Sequence, residues 1–398
     1  MKRVLTLYRD AYSGLSPSLW WLSIVMLINR AGTMVIPFMT LYLTQYLDYS
    51  ISKAGIIMAV FGIGAVCGGY LGGWLTDRIG FYYVQIVALS GGGVLFMVLG
   101  QMQEFNMICL VTFLLSLVNE AFRPANAAAI AAYSGFENRT RSFSLNRLAV
   151  NLGWSMGGAL GGFIASRSYE LLFMIDGLTN LSAAFMLWIL FAPSRKQKNE
   201  PTQEAVVSKQ APSAWKDKNF LFFIVLTIAF AACFFQLFTT LPVYYREQLN
   251  LTENMIGVVM SLNGVLIALF EMVLIRRLEK NRKNLFYISS GIVLVGISFM
   301  IFNLFSGGMV LAVSSAILMT TGEIASMAFM NTYWIERTQP GNRGQYAGIY
   351  TMSWSIAQVT GPALGAQIAD FAGFHLLWWI ISILCFACAW GFQRLKSK

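Results

Sequence analysis

Apolar stretches of about twenty residues alternate with short polar joints along almost the whole chain. A helix needs about 20 mostly apolar residues to cross the hydrocarbon of a bilayer. On that basis the pattern predicts twelve transmembrane helices, at 18–44, 54–76, 84–102, 106–132, 144–166, 171–193, 220–245, 254–275, 285–304, 309–335, 344–369 and 375–393. Most joints are very short. The exception, Ser194 to Asn219, is polar and contains proline, and reads as a linker between two six-helix halves. The expected architecture is an all-α membrane protein: an N-terminal bundle at 1–193, a linker at 194–219 and a C-terminal bundle at 220–398.

Composition agrees with that pattern. The 398 residues are 57% hydrophobic and 12% charged, well under the soluble norm of about 25% charged. The net charge of +10 invites a nucleic-acid reading, but its distribution excludes one. Of the 28 Lys and Arg, only Lys53, Arg167 and Arg246 fall on one side, and Arg30 and Arg123 fall within the apolar runs. All the others flank the opposite side, with Arg139, Arg141 and Arg147 counted among them. Positive residues gather in the cytoplasm, so both termini are expected there, in a cytoplasmic (inner) membrane. The basic amino terminus before the first run reads as the flank of an uncleaved span. All five cysteines sit in apolar runs, so Cys385 and Cys388 are read as packing despite their CxxC spacing.

The two halves echo each other. Glu120 and Glu323 stand 203 positions apart, each in the fourth helix of its half. Asp77-Arg78 recurs as Glu279-Lys280, Asn138-Arg139 as Asn342-Arg343, GGALGG from Gly157 as GPALGA from Gly361, and Pro37 as Pro242. Several matches near one offset indicate an internal duplication, an arrangement used by secondary transporters.

The joint after the second helix reads Gly73-Trp-Leu-Thr-Asp77-Arg78-Ile-Gly80. It resembles the GxLxDRxG loop signature of the major facilitator superfamily, although Phe81, Tyr82 and Tyr83 replace the basic residues that usually follow. The fifth helix, with Gly153, Gly157 and Gly161, is similar to the glycine-rich signature of the drug–proton antiporter branch. Gly158 stands where that signature has proline, and Pro362 supplies one only in the second half, between Gly361 and Gly365. Glycines four apart also permit close helix crossing in any membrane protein. The resemblance implies two pseudo-symmetric six-helix bundles that rock about a central site, with Gly73, Asp77, Arg78 and Gly80 acting at the gate.

Candidate chemistry lies in charges placed where charge is costly. An ionisable residue within the membrane is a functional hypothesis by default. Glu120, Glu323 and Glu271 are candidates for proton coupling. Glu120 stands three residues from Arg123, on one helix face, and its alternative is a permanent pair with Arg123 or Arg30. Arg30 is the expected long-range partner, and no basic residue is evident near Glu323. Glu271 has snorkelling, or pairing with Arg276, as its alternative. Arg30 and Asn29 on the first helix, with Arg123, are candidates for substrate binding. So are Asn151, Trp154, Gln236, Tyr244, Asn331, Trp354 and Gln358, each of which has interhelical packing as its alternative. Asp176, Asp370 and His375 are assigned to the outer interface.

No nucleotide-binding loop, metal cluster or catalytic triad is visible, so no enzyme activity, cofactor or metal is expected, and an ion gradient is left as the energy source. The expected function is proton-coupled secondary transport of a small molecule by a monomer in the lipid bilayer. Export of amphipathic or drug-like compounds is preferred. The alternatives are uptake of small peptides or another small polar solute, and a non-transporting membrane sensor.

Overall fold

The structure, a computed structural model, describes residues 2–165, 167–191, 211–279, 283–339 and 341–395. Most of the expected linker, 194–210, therefore lies outside the described residues, as does Lys280, the expected counterpart of Arg78. The described residues are helical, with no strand among them.

Twelve passes can be followed. Span 1 is broken into Pro17–Ala31 and Val35–Leu41, then Tyr42–Tyr46. Span 2 is Ile51–Ile79 and span 3 Phe81–Leu99. Span 4 is Phe105–Glu120 with Phe122–Tyr133, span 5 Arg139–Ala165, and span 6 Tyr169–Phe191. Span 7 runs from Lys218–Phe234 through Phe235–Phe238 to Thr240–Glu247. Span 8 is Glu253–Leu278, span 9 Asn284–Leu304 and span 10 Gly308–Glu336. Spans 11 and 12 share Arg343–Arg394, divided at Gly373, where φ is +80°. A side chain strains at such a φ and glycine does not. Span 1 is short in its first segment, Pro17–Ala31, because the helix is broken after it.

Packing repeats the sequence duplication. In the first half span 1 packs on span 5, span 2 on span 4, and span 3 on spans 4 and 6; in the second, span 7 on 11, 8 on 10, and 9 on 10 and 12. The halves meet through span 2 against span 11 and through the equivalent pair, span 8 against span 5. The close approaches rest on glycine. A Cβ on Gly153 would fall 2.5 Å from Cβ of Arg30, and one on Gly161 would press Phe38 and Met34, so span 5 lies directly on span 1. Gly361 and Gly365 repeat this against Ala232 and Gln236 of span 7. Pro362 stands inside span 11.

A short helix, Lys2–Tyr12, precedes span 1 at a bend of 92°. It packs on span 8, where Tyr8 Oη donates to the Leu269 carbonyl at 2.6 Å. The face that carries this helix and both chain ends is called the terminal face below.

Candidate functional site

Helix breaks position the central charges. Pro124 has no amide to offer the Glu120 carbonyl four residues earlier, and span 4 breaks at Ala121 between them. Glu120 thus ends one segment and Arg123 opens the next, with Arg123 Nη1 3.1 Å from Glu120 Oε2. The expected long-range partner, Arg30, does not hold Glu120; the local spacing wins. Arg30 lies in the last turn before the span 1 break at Gly32. The break exposes the amides of Met34 and Val35, and both donate to the Asp176 carboxylate at 2.9–3.2 Å. Asp176 is fully buried, which corrects its assignment to the solvated interface.

Arg30, Glu120, Asn29, Asn119, Trp154, Asn180 and Gln358 line one central cavity of about 60 Å³, closed on its apolar side by Ile36, Phe61, Ala65 and Phe96. Asn29 Nδ2 donates to Asn180 Oδ1 at 2.9 Å, tying span 1 to span 6. Of the other expected wall residues, Asn151 is half-buried with its Nδ2 unpartnered. Asn331 is engaged with Met327 and Trp334 of its own helix, and Trp354 packs edge-on to Phe234, Phe235 and Tyr350.

Two expected wall residues face elsewhere. Gln236 is buried, donating to the Ala232 and Gly361 carbonyls and accepting from Thr240, so it clasps span 7 to span 11. Tyr244 is buried among Phe302, Phe374 and Trp378. Gln236 thus finds its polar partners between helices, and Tyr244 packs its ring there.

A second cluster joins the halves. Arg147 of span 5 donates through Nε to Glu271 Oε1 at 2.9 Å, with Nη2 2.9 Å from Glu271 Oε2. Its Nη1 donates to Glu323 Oε1 of span 10 at 3.0 Å. Asn263 of span 8 completes the shell, donating to Glu323 Oε2 at 2.8 Å and to Thr320 Oγ1 at 3.0 Å. Glu271 is fully buried and Glu323 nearly so. Three sequence expectations change here. Arg147 is a membrane charge, about 12 Å along span 5 from Arg139 at 1.5 Å per residue, and not a loop charge. Glu323 has a basic partner after all. Glu271 neither snorkels nor meets Arg276, which pairs with Glu279 at 2.9 Å.

Sequence reasoning missed Arg147 and Asn263. The signal was present in span 5, where Thr140, Ser144, Arg147, Asn151 and Ser155 recur at helical spacing on one face. Thr140 of that stripe meets Thr332 of span 10 at 2.7 Å.

Nearer the terminal face, Asp77 Oδ1 and Oδ2 accept from the amides of Gly344 and Gln345, each at 2.6 Å. These are the free amides opening span 11, where the helix dipole favours an anion. Gly73 lets span 2 press onto span 11: a Cβ there would sit 2.2 Å from the Gly344 carbonyl. Arg78 lies over the Trp74 ring at 3.9 Å, and Gly80 turns the chain at φ +88°. On the equivalent seam Arg141 bridges to Glu279 at 3.0 Å and donates to the Ala11 and Ser13 carbonyls. Near the opposite ends of spans 2 and 8, a Cβ on Gly55 or Gly257 would meet nothing within 4 Å.

Residues 21–361 match the model of the Major Facilitator Superfamily. The chain belongs to that family. It is a multi-pass membrane transporter and not an enzyme. Among relatives, a Na(+), Li(+), K(+)/H(+) antiporter of Planococcus maritimus is 23% identical, covering 92% of each chain. The class D tetracycline resistance protein of Salmonella ordonez is 24% identical over 87% of this chain and 88% of its own. The solved structure of the human organic anion transporter MFSD10 superposes with a TM-score of 0.77 at 15% identity, covering 95% of this chain and 100% of that one. The glycine contacts and the paired seams are the superfamily fold expressed in this transporter's own residues.

Proposed function

We propose that this transporter is a proton-coupled exporter of amphipathic small molecules, a monomer whose halves 1–193 and 220–398 rock about the central cavity, with the terminal face in the cytoplasm. One observation carries the reading. A single guanidinium, Arg147, is shared by two buried carboxylates, Glu271 and Glu323, that belong to the other half. Two anions and one cation leave an excess negative charge in a medium where excess charge is costly. A proton shared by the two carboxylates removes it. Taking up or releasing that proton changes the attraction between the halves, so proton movement is tied to the opening of the terminal face. Glu120, already neutralised by Arg123, is the lesser carrier.

Export is supported by the relatives whose names carry antiport and drug resistance. The test is flux in proteoliposomes under an imposed pH gradient, with a panel of lipophilic ions. Wild type should drive accumulation, and Glu323→Gln should allow only downhill exchange. Undiminished gradient-driven transport in both Glu271→Gln and Glu323→Gln would refute the coupling role. Flux evoked by peptides alone would replace export with uptake, and silence with every solute would favour a sensor.

A further inference from the structure

The central cavity is lined by one cation and one anion, Arg30 and Glu120, and a second cation, Arg123, pairs with Glu120 from outside that lining. The group as a whole, two cations and one anion, has a charge balance opposite to that of the Arg147 cluster. Arg123 is committed to Glu120, and the Asp176 carboxylate is committed to the amides of span 1. Arg30 is left with its Nε buried and without a hydrogen-bond partner. Unpaired buried polar atoms are rare in folded proteins, and each calls for an explanation.

Shape narrows the explanation. About 60 Å³ is room for a few waters or one small head group, and not for a whole drug-sized molecule. Trp154 and Phe61 supply aromatic surface in the same wall, and Trp154 is 41% exposed. A planar carboxylate is the group a guanidinium pairs with best, since its two oxygens match the fork of donors.

We propose that this cavity binds the carboxylate head of an amphipathic organic anion on Arg30, with the aromatic or aliphatic body lying against Trp154. The substrate class of the transporter is then organic monoanions. This rests on the transport reading above, yet it is tested by binding alone. With Arg123 committed to Glu120, Arg30 is the one cation left to neutralise the head group, so a second negative charge is uncompensated and dianions are disfavoured.

The test uses the purified full chain in nanodiscs, with Trp fluorescence and thermal shift as readouts. The probes are 4-biphenylcarboxylate, its near-isosteric neutral amide 4-biphenylcarboxamide, and the tetraphenylphosphonium cation. The carboxylate should bind at least tenfold more tightly than the amide and more tightly than the cation. Arg30→Gln should erase the carboxylate's advantage, and Arg30→Lys should keep part of it. Glu120→Gln should tighten carboxylate binding and admit a dicarboxylate. Equal binding of acid and amide by wild type would overturn the proposal without any variant having to fold. So would a carboxylate affinity that Arg30→Gln leaves intact. Neither result touches proton coupling, which stands or falls on the flux experiment, and coupling can fail with the anion site still present.

Discussion

Arg147 meets Glu271 through two nitrogens, each 2.9 Å from a different carboxylate oxygen, across the boundary between the halves. Breaking a buried pair by removing one partner costs about 3–5 kcal/mol, because the other charge is left uncompensated. Arg147→Met leaves Glu271 and Glu323 both unneutralised and should lower the unfolding temperature by several degrees. The triple variant Arg147→Met, Glu271→Gln, Glu323→Gln should recover most of the loss. Scanning fluorimetry in detergent reads both. A triple variant no more stable than Arg147→Met would show that packing, and not charge, sets the cost.

Asp77 holds span 11 by charge as well as by hydrogen bonds. Asparagine in its place keeps an acceptor for one amide and loses the anion at the helix start. An anion there contributes about 0.3–1 kcal/mol, more when partly buried. A difference of ~1 kcal/mol is roughly a fivefold change in a two-state ratio. Asp77→Asn should therefore raise the population open at the terminal face by about that factor. Spin labels on the terminal-face ends of spans 3 and 10 would report it as a longer distance component. An unchanged distribution would remove Asp77 from the gate.

The spans were legible because the bilayer imposes a length that an apolar run either meets or misses, and the expected bounds lie within a few residues of the observed ones. The Glu120–Arg123 contact was legible because three residues on a helix is itself a distance. Arg147 was not, because a basic residue close to a basic loop looks like more of that loop; only its place in a polar stripe separates them. Gln236 and Tyr244 were misjudged for a related reason. A polar group in an apolar run must find a partner, and the sequence does not say whether that partner is a substrate or the next helix.

Two glycines that look alike in sequence differ in what stands opposite. A Cβ on Gly73 would meet backbone, the Gly344 carbonyl at 2.2 Å and the Gly348 Cα at 2.6 Å, and neither can swing aside. A Cβ on Gly365 would meet the Gln236 side chain at 2.0 Å. That side chain can turn away at the loss of its bonds to Gly361 and Thr240, each contributing about 0.5–1.5 kcal/mol. Gly73→Ala should prevent closure of the terminal face, with a large drop in gradient-driven flux. Gly365→Ala should lower the unfolding temperature by a few degrees and leave the closed state accessible. The same spin-label pair separates the two, and closure in Gly73→Ala as complete as in wild type would refute the contact as the limiting one.

The C-terminal half is clasped outside the membrane by Asp217, which caps span 7 through the Phe220 amide at 3.1 Å and takes Arg337 at 2.7 and 2.8 Å. Burial pushes the Asp217 carboxyl up. The hydrogen bonds from Arg337, the Phe220 amide and Tyr346, with the Arg337 charge, outweigh it and hold the group below its ordinary 3.8. A carboxylate with a depressed folded value contributes stability that is complete above its unfolded value and is lost as pH falls through the folded one. Asp217→Ala removes a helix cap, worth ~1 kcal/mol, together with the ion pair. The unfolding temperature of wild type should therefore exceed that of Asp217→Ala by a constant margin from neutrality down to about pH 5, above the ordinary carboxylate range. The margin should shrink only on acidification below that range. A margin that narrows between pH 8 and pH 6 would mean that some other group, and not Asp217, carries the clasp.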